Sequence, residues 1–198
     1  MTGTVRYHHG DLRAALVERA TDVVATDGVD ALSMRELARD LGVSHAAPSR
    51  HFADRQALLD AVAVNGFDRL RDALDQGPTT GETSFGARLG CHAACYVQFA
   101  VTNAPLLTVM FAAKHRRGAP SDIRDAAEGA LAAPLRMIGA AQQRGEVIAG
   151  PVEDIGTAIL ATMHGFATLV AGGLLEEQGS EQALAETIRL LVEGLRPR

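Results

Sequence analysis

The stretch Ser33–Phe52, SMRELARDLGVSHAAPSRHF, decides the reading of the chain. Ser33 followed by Glu36 forms the S-x-x-E capping box, in which serine oxygen and glutamate each satisfy an unpaired backbone donor at a helix start. A short helix therefore begins near Met34, with Leu37, Ala38 and Leu41 as its buried stripe. Gly42 stands where a helix ends in the left-handed conformation that glycine tolerates, and Val43 returns to the core. Ser44 is the next N-cap candidate. The second helix is expected to present His45, Ala46, Ala47, Ser49 and Arg50 in its first two turns, side chains small and donor-bearing enough to enter a major groove. The pattern reads as a helix-turn-helix with a recognition helix.

Flanking segments agree. From Asp11 to Gly28, apolar residues at Leu12, Leu16, Ala20, Val23 and Val24 recur at helical spacing, and Gly28 closes the run. Asp54 caps a longer helix whose Leu58, Val62, Phe67, Leu70 and Leu74 share one side. Before the head lies a basic arm with Arg6, Tyr7, His8 and His9, able to reach a neighbouring minor groove or the DNA backbone.

The net charge of −5 looks unsuited to nucleic acid, but residues 1–71 account for only −1 of it. No carboxylate occurs between Leu41 and Ala53, where His45, Arg50 and His51 lie. Local rather than net charge attracts phosphate. With 198 residues, 47% of them hydrophobic, the chain can bury one or two cores. Two cysteines and no uninterrupted apolar run of about 18 residues argue against a disulfide scaffold and a membrane span. The N-terminus has no apolar signal core, so the cytoplasm is the expected location.

The turn-rich QGPTTGETS, residues 76–84, marks the expected boundary between a DNA-binding domain at 1–76 and a helical domain at 77–198. In the second domain Phe85, Leu89, His92, Tyr96 and Phe99 form one helical series, stopped near Asn103. A short apolar helix, 106–113, follows. Ile123, Ala127, Leu131, Leu135 and Ile138 mark a long helix with Pro134 inside it. Residues 152–175 are helical in period and rich in glycine, at Gly156, Gly165, Gly172 and Gly173. A last helix is expected from a Ser180 cap, with Leu184, Ile188, Leu191 and Leu195 as its stripe. No alternating strand pattern occurs, so the fold class is all-α.

Cys91, His92 and Cys95 invite a metal or redox reading. Two cysteines at i and i+4 share a helix face, yet zinc generally takes four ligands, and they are read as small core residues with no metal site. No phosphate-cradling glycine loop, H-E-x-x-H or G-x-S-x-G occurs, so neither catalytic machinery nor a cofactor is expected. Tyr96, Phe99, Met110, Phe111, Met137, Met163 and Phe166 are candidates to line a cavity for an apolar or aromatic effector, with His92 and His164 orienting a polar group.

The segment LSMRELARDLGVSHAAPSRHFADRQALLDAV closely resembles the DNA-binding domain of TetR-type transcriptional regulators. The resemblance implies that Arg35, Ser44, His45, Ala46, Ala47, Ser49, Arg50 and His51 line double-stranded DNA, with Arg55 in the place of a phosphate-binding lysine. The sequence departs from the family at Ser49, where a tyrosine usually contacts phosphate. Met163-His164-Gly165 and YVQFAVTNAPLLTVMF resemble the ligand-binding half of the family branch named for a Trp, His and Gly. The resemblance implies a ligand-responsive regulator, a repressor rather than an activator, that binds a pseudo-palindromic operator as a homodimer through its last two helices. The rival expectation is a helical small-molecule binding protein or enzyme that keeps the head only as structure.

Overall fold

The computed structural model describes residues 12–75, 84–175 and 177–197. The basic arm and the expected boundary at residues 76–77 lie outside them. The described residues form nine α-helices and no strand: α1 Leu12–Asp27, α2 Met34–Asp40, α3 Pro48–His51, α4 Arg55–Asp75, α5 Phe85–Thr102, α6 Ala104–His115, α7 Ser121–Gln143, α8 Val152–Ala171 and α9 Glu177–Gly194. A 3₁₀ turn, Val29–Ala31, joins α1 to α2.

Two compact units emerge, each with its own core. The first holds the described residues up to Gly66 together with Pro105–Arg124; the second holds Phe67–Ala104 and the chain from Asp125 onward. The sequence placed 105–124 in the C-terminal domain, but packing gathers this segment with the head. Gly66 makes room for it: a Cβ there would lie 2.8 Å from the Met110 side chain and 3.2 Å from Leu106. Arg116 then donates to both carboxylate oxygens of Asp60 at 2.7 Å, tying the turn after α6 to α4.

In the first unit Leu16, Ala20, Val24, Leu37, Ala38, Phe52, Leu58 and Val62 are buried, each at a position that helical spacing assigns to an inner face. Arg19 donates to Asp40 at 2.8 and 3.0 Å, joining α1 to α2, and Arg13 lies over the Phe52 ring, 5.3 Å from its centroid. In the second unit α5 is the central helix, packed against α8 and α9. Its N-terminus is held by Ser84, whose Oγ accepts from Ala87, and by Glu146, which accepts from the Phe85 N–H at 2.6 Å. The hydrogen bond from Arg144, then the one from Phe85, keeps the Glu146 carboxyl below the usual carboxylate range.

Three expected boundaries and placements change. Ser180 is no cap, because α9 already begins at Glu177. The run 152–175 stops at Ala171: Gly173 takes a φ of 69° and the Leu174 N–H reaches the Leu169 carbonyl, so these glycines end the helix instead of packing along it. Cys91 and Cys95 are half-buried free thiols rather than fully buried core. By length and composition α8 is apolar enough to cross a membrane. Its Ile155, Ile159, Met163, Phe166 and Ala167 are buried within the second unit.

Candidate functional site

The first candidate surface is the turn and helix after α2. Ser33 Oγ accepts from the Glu36 N–H at 3.4 Å, while the Glu36 carboxylate faces Arg39 at 3.5 Å. Gly42, at φ 66°, ends α2 with the Val43 N–H on the Ala38 carbonyl at 2.9 Å. The expected Ser44-capped helix does not form. Residues 44–47 make a turn, closed by the Ala47 N–H on the Ser44 carbonyl at 2.9 Å, and α3 starts only at Pro48. The reason is Pro48, which has no N–H to give the Ser44 carbonyl and suits the first position of a helix. His45 and Ala46 therefore sit on the turn, and Ser49, Arg50 and His51 on one helical turn.

Of the residues expected on DNA, Arg35, Ser44, His45, Ala46, Ser49, Arg50, His51 and Arg55 are exposed, whereas Ala47 is buried against the head's core. Ala47 is thus a packing residue, since a methyl inside the core offers nothing to a groove. Arg55 also serves the fold, because its Nη2 donates to the Val29 carbonyl at 2.6 Å. Arg35 and Arg50 make no ion pair with another described residue, while Arg19, Arg39, Arg71 and Arg116 all do. Arg6 lies outside the described residues.

The second site is a cavity of about 220 Å³ inside the second unit, between α5, α7 and α8 and closed by Leu74 of α4. His92, Tyr96, Met137 and Met163 line it as expected. The expected Phe99 and Phe166 do not; they are buried in the core of α5 and α8. Met110 and Phe111 belong to α6, where Met110 is fully buried against Gly66 in the first unit. His164 stands behind the wall, its Nδ1 3.0 Å from the Tyr96 hydroxyl. The lining that sequence reasoning missed comes chiefly from α7 and α8: Leu131, Pro134, Leu135, Glu153, Gly156 and Leu160. Its signal was the α7 stripe, read only as core, together with Gly156. A Cβ on Gly156 would come within 2.6 Å of Leu135.

Electrostatics inside the cavity favour neutral groups. Burial raises the Tyr96 pKa to about 12, so the phenol keeps its proton beside His164 Nδ1. Burial lowers the His92 pKa, with Asp75 opposing, so its imidazole is neutral near pH 7. The His92 Nδ1 atom is buried, with no hydrogen-bond partner among the described residues.

A helix-turn-helix head joined to a helical unit with a partly open apolar cavity has the architecture of a DNA-binding protein with a ligand-binding body. Family comparison makes the assignment. Residues 16–62 match the model for bacterial regulatory proteins of the tetR family, and residues 91–195 match the tetracycline repressor-like C-terminal domain. The chain belongs to the TetR family of transcription regulators. A Rhodococcus sp. RHA1 protein of unknown function is 41% identical over 98% of this chain and 100% of its own, with a TM-score of 0.87. A TetR family transcription regulator from Marinobacter aquaeolei VT8 is 19% identical, covering 96% of this chain and 97% of that one, at a TM-score of 0.74. RolR in complex with resorcinol is 17% identical over 96% and 89%, at 0.64. No curated protein matches the chain.

Proposed function

We propose that this regulator is a repressor that binds a pseudo-palindromic operator as a homodimer through α8 and α9 and is released by a small apolar or aromatic effector. The observation that carries the DNA half is the pair Arg35 and Arg50, exposed cations without acidic partners among the described residues, near a stretch free of carboxylates. Such arginines bind phosphate or a guanine edge at little desolvation cost. His45, Ser49 and His51 add hydrogen-bonding groups on the same segment. Dimerisation is supported by Leu169, Leu174 and Leu190, 42%, 76% and 57% exposed on or beside α8 and α9. The effector half rests on the apolar cavity, and RolR offers a fold-level precedent for an aromatic ligand. The protein acts in the cytoplasm, without catalysis.

The test is a gel shift on operator DNA with Arg35→Ala and Arg50→Ala combined. Retention should weaken by at least about tenfold with the dimer intact by sedimentation, since two charge-assisted contacts are removed. Unchanged retention would instead favour a helical binding protein that keeps its head as structure, a reading to which Ser49 lends support.

A further inference from the structure

Two thiols on α5 lie outside both candidate sites. Cys91 and Cys95 are free and half-buried, four residues apart on one helix, and neither lines the cavity. We propose that they form a binding site for one soft, two-coordinate monovalent cation, Cu(I) among biological metals, held between the two Sγ atoms.

Helix geometry sets the spacing. α5 runs unbroken from Phe85 to Thr102, so side chains at i and i+4 stand on one face with Cβ atoms about 5–6 Å apart. A disulfide needs Cβ atoms about 3.5–4.5 Å apart, so this pair cannot close on itself while α5 stays helical. One bridging atom fits instead. Two metal–thiolate bonds of roughly 2.3 Å hold their sulfurs up to about 4.6 Å apart, a separation that Cβ atoms at i and i+4 allow.

The number of ligands selects the ion. Among the described residues no group of three or more His, Cys, Asp or Glu side chains is placed to hold a metal. Zinc and iron–sulfur centres call for about four thiolate or imidazole ligands, and calcium and magnesium for about six or more oxygens. Cu(I) is soft, prefers thiolate sulfur, and is satisfied by two sulfurs in a line.

Position on the helix gives access. Phe85, Leu89, Ala93, Tyr96 and Ala100 form the buried stripe of α5, while Ala87, Ala94, Gln98 and Thr102 are exposed. At about 100° per residue the two cysteines fall on the border between these arcs, open to an entering ion on one side and shielded by packing on the other. Ligation exchanges protons for metal: both S–H bonds break, two Cu–S bonds form, two protons leave to solvent, and the copper keeps its oxidation state.

Titration of the reduced full-length protein with Cu(I), free of oxygen and against a coloured Cu(I) chelator, tests this. One Cu(I) per chain should leave the chelator. Cys91→Ser and Cys95→Ser should each weaken that binding by at least about tenfold, since even an outer-shell partner of a metal ligand is worth that much. Serine keeps the side-chain size, and circular dichroism checks that each variant stays helical. Alkylating both thiols of the parent chain, counted by mass spectrometry, should abolish binding without any substitution. Adding Gln98→Cys to Cys95→Ser restores the thiol count but sets the second sulfur seven residues from Cys91, about 10 Å along the axis, and should leave binding weak. Zinc in large excess should not displace the copper. Unchanged binding in either serine variant or after alkylation, recovery with Gln98→Cys, displacement by zinc, or one Cu(I) per two chains would overturn the proposal.

Discussion

Tyr96 and His92 sit four residues apart on one helix, and burial shifts them in opposite directions. For Tyr96, pushed up to about 12, the folded chain keeps a proton that the unfolded chain loses near 10, so stability falls as pH rises through that window. In a Tyr7→Phe variant, which leaves Tyr96 as the remaining tyrosine, phenolate absorbance should rise near pH 12. A rise near 10 would show that the phenol is solvated. For His92 the sign reverses. Its folded pKa lies below 6.5, so the unfolded chain binds the extra proton and stability drops as pH falls from 6.5 toward the folded value. Thermal melts from pH 7 to 5 should lose less in His92→Gln than in the parent protein. Equal losses would mean that the imidazole is no more buried in the folded state than in the unfolded one.

At the scale of elements, the Asp60–Arg116 pair joins α4 to the turn after α6 within the first unit. Asp60 is only 15% exposed in its side chain, so Arg116→Ala leaves a largely buried carboxylate without its cation. The expected loss is about 1–3 kcal/mol, below the range for fully buried pairs because Arg116 is partly solvated. Urea unfolding measures it, and a loss under about 0.5 kcal/mol would place the pair among ordinary surface contacts. The pair was invisible in the sequence, since nothing in KHRRGAPS says which arginine turns inward. Helical faces were legible, because burial at Leu16, Leu37, Leu58, Phe85 and Ile123 follows a 3.6-residue period. Starts and stops were legible where a side chain or glycine acts locally, as at Gly28, Ser33, Gly42 and Asp54. They failed at Ser44 and Ser180, where a serine of cap type stands but Pro48 moves one helix start forward and α9 begins before the other.

For the whole molecule, the surface outweighs the sum of charges: a chain of net −5 still presents Arg35 and Arg50 exposed and without an ion pair among the described residues. The cavity was half legible. Periodicity told which residues share a face of α5 or α8, and His92, Tyr96 and Met163 line the cavity. It could not say which faces close on core and which on empty space, and Phe99, Met110, Phe111 and Phe166 lie off the lining. Assembly is the remaining link between head and function. Leu169→Arg with Leu190→Arg places charge on the exposed apolar surface of α8 and α9. Sedimentation should then report a monomer, with operator affinity reduced by at least about tenfold because two half-sites can no longer be engaged together. A dimer that survives both changes would move the interface elsewhere. The central claim, that the head reads DNA in symmetric pairs, is tested most directly by selecting bound sequences from random double-stranded DNA with the purified full-length protein. Enrichment of a pseudo-palindrome, its half-sites spaced by about one or more helical turns, is the predicted result. Recovery of no common sequence, at salt low enough to retain DNA, would contradict it.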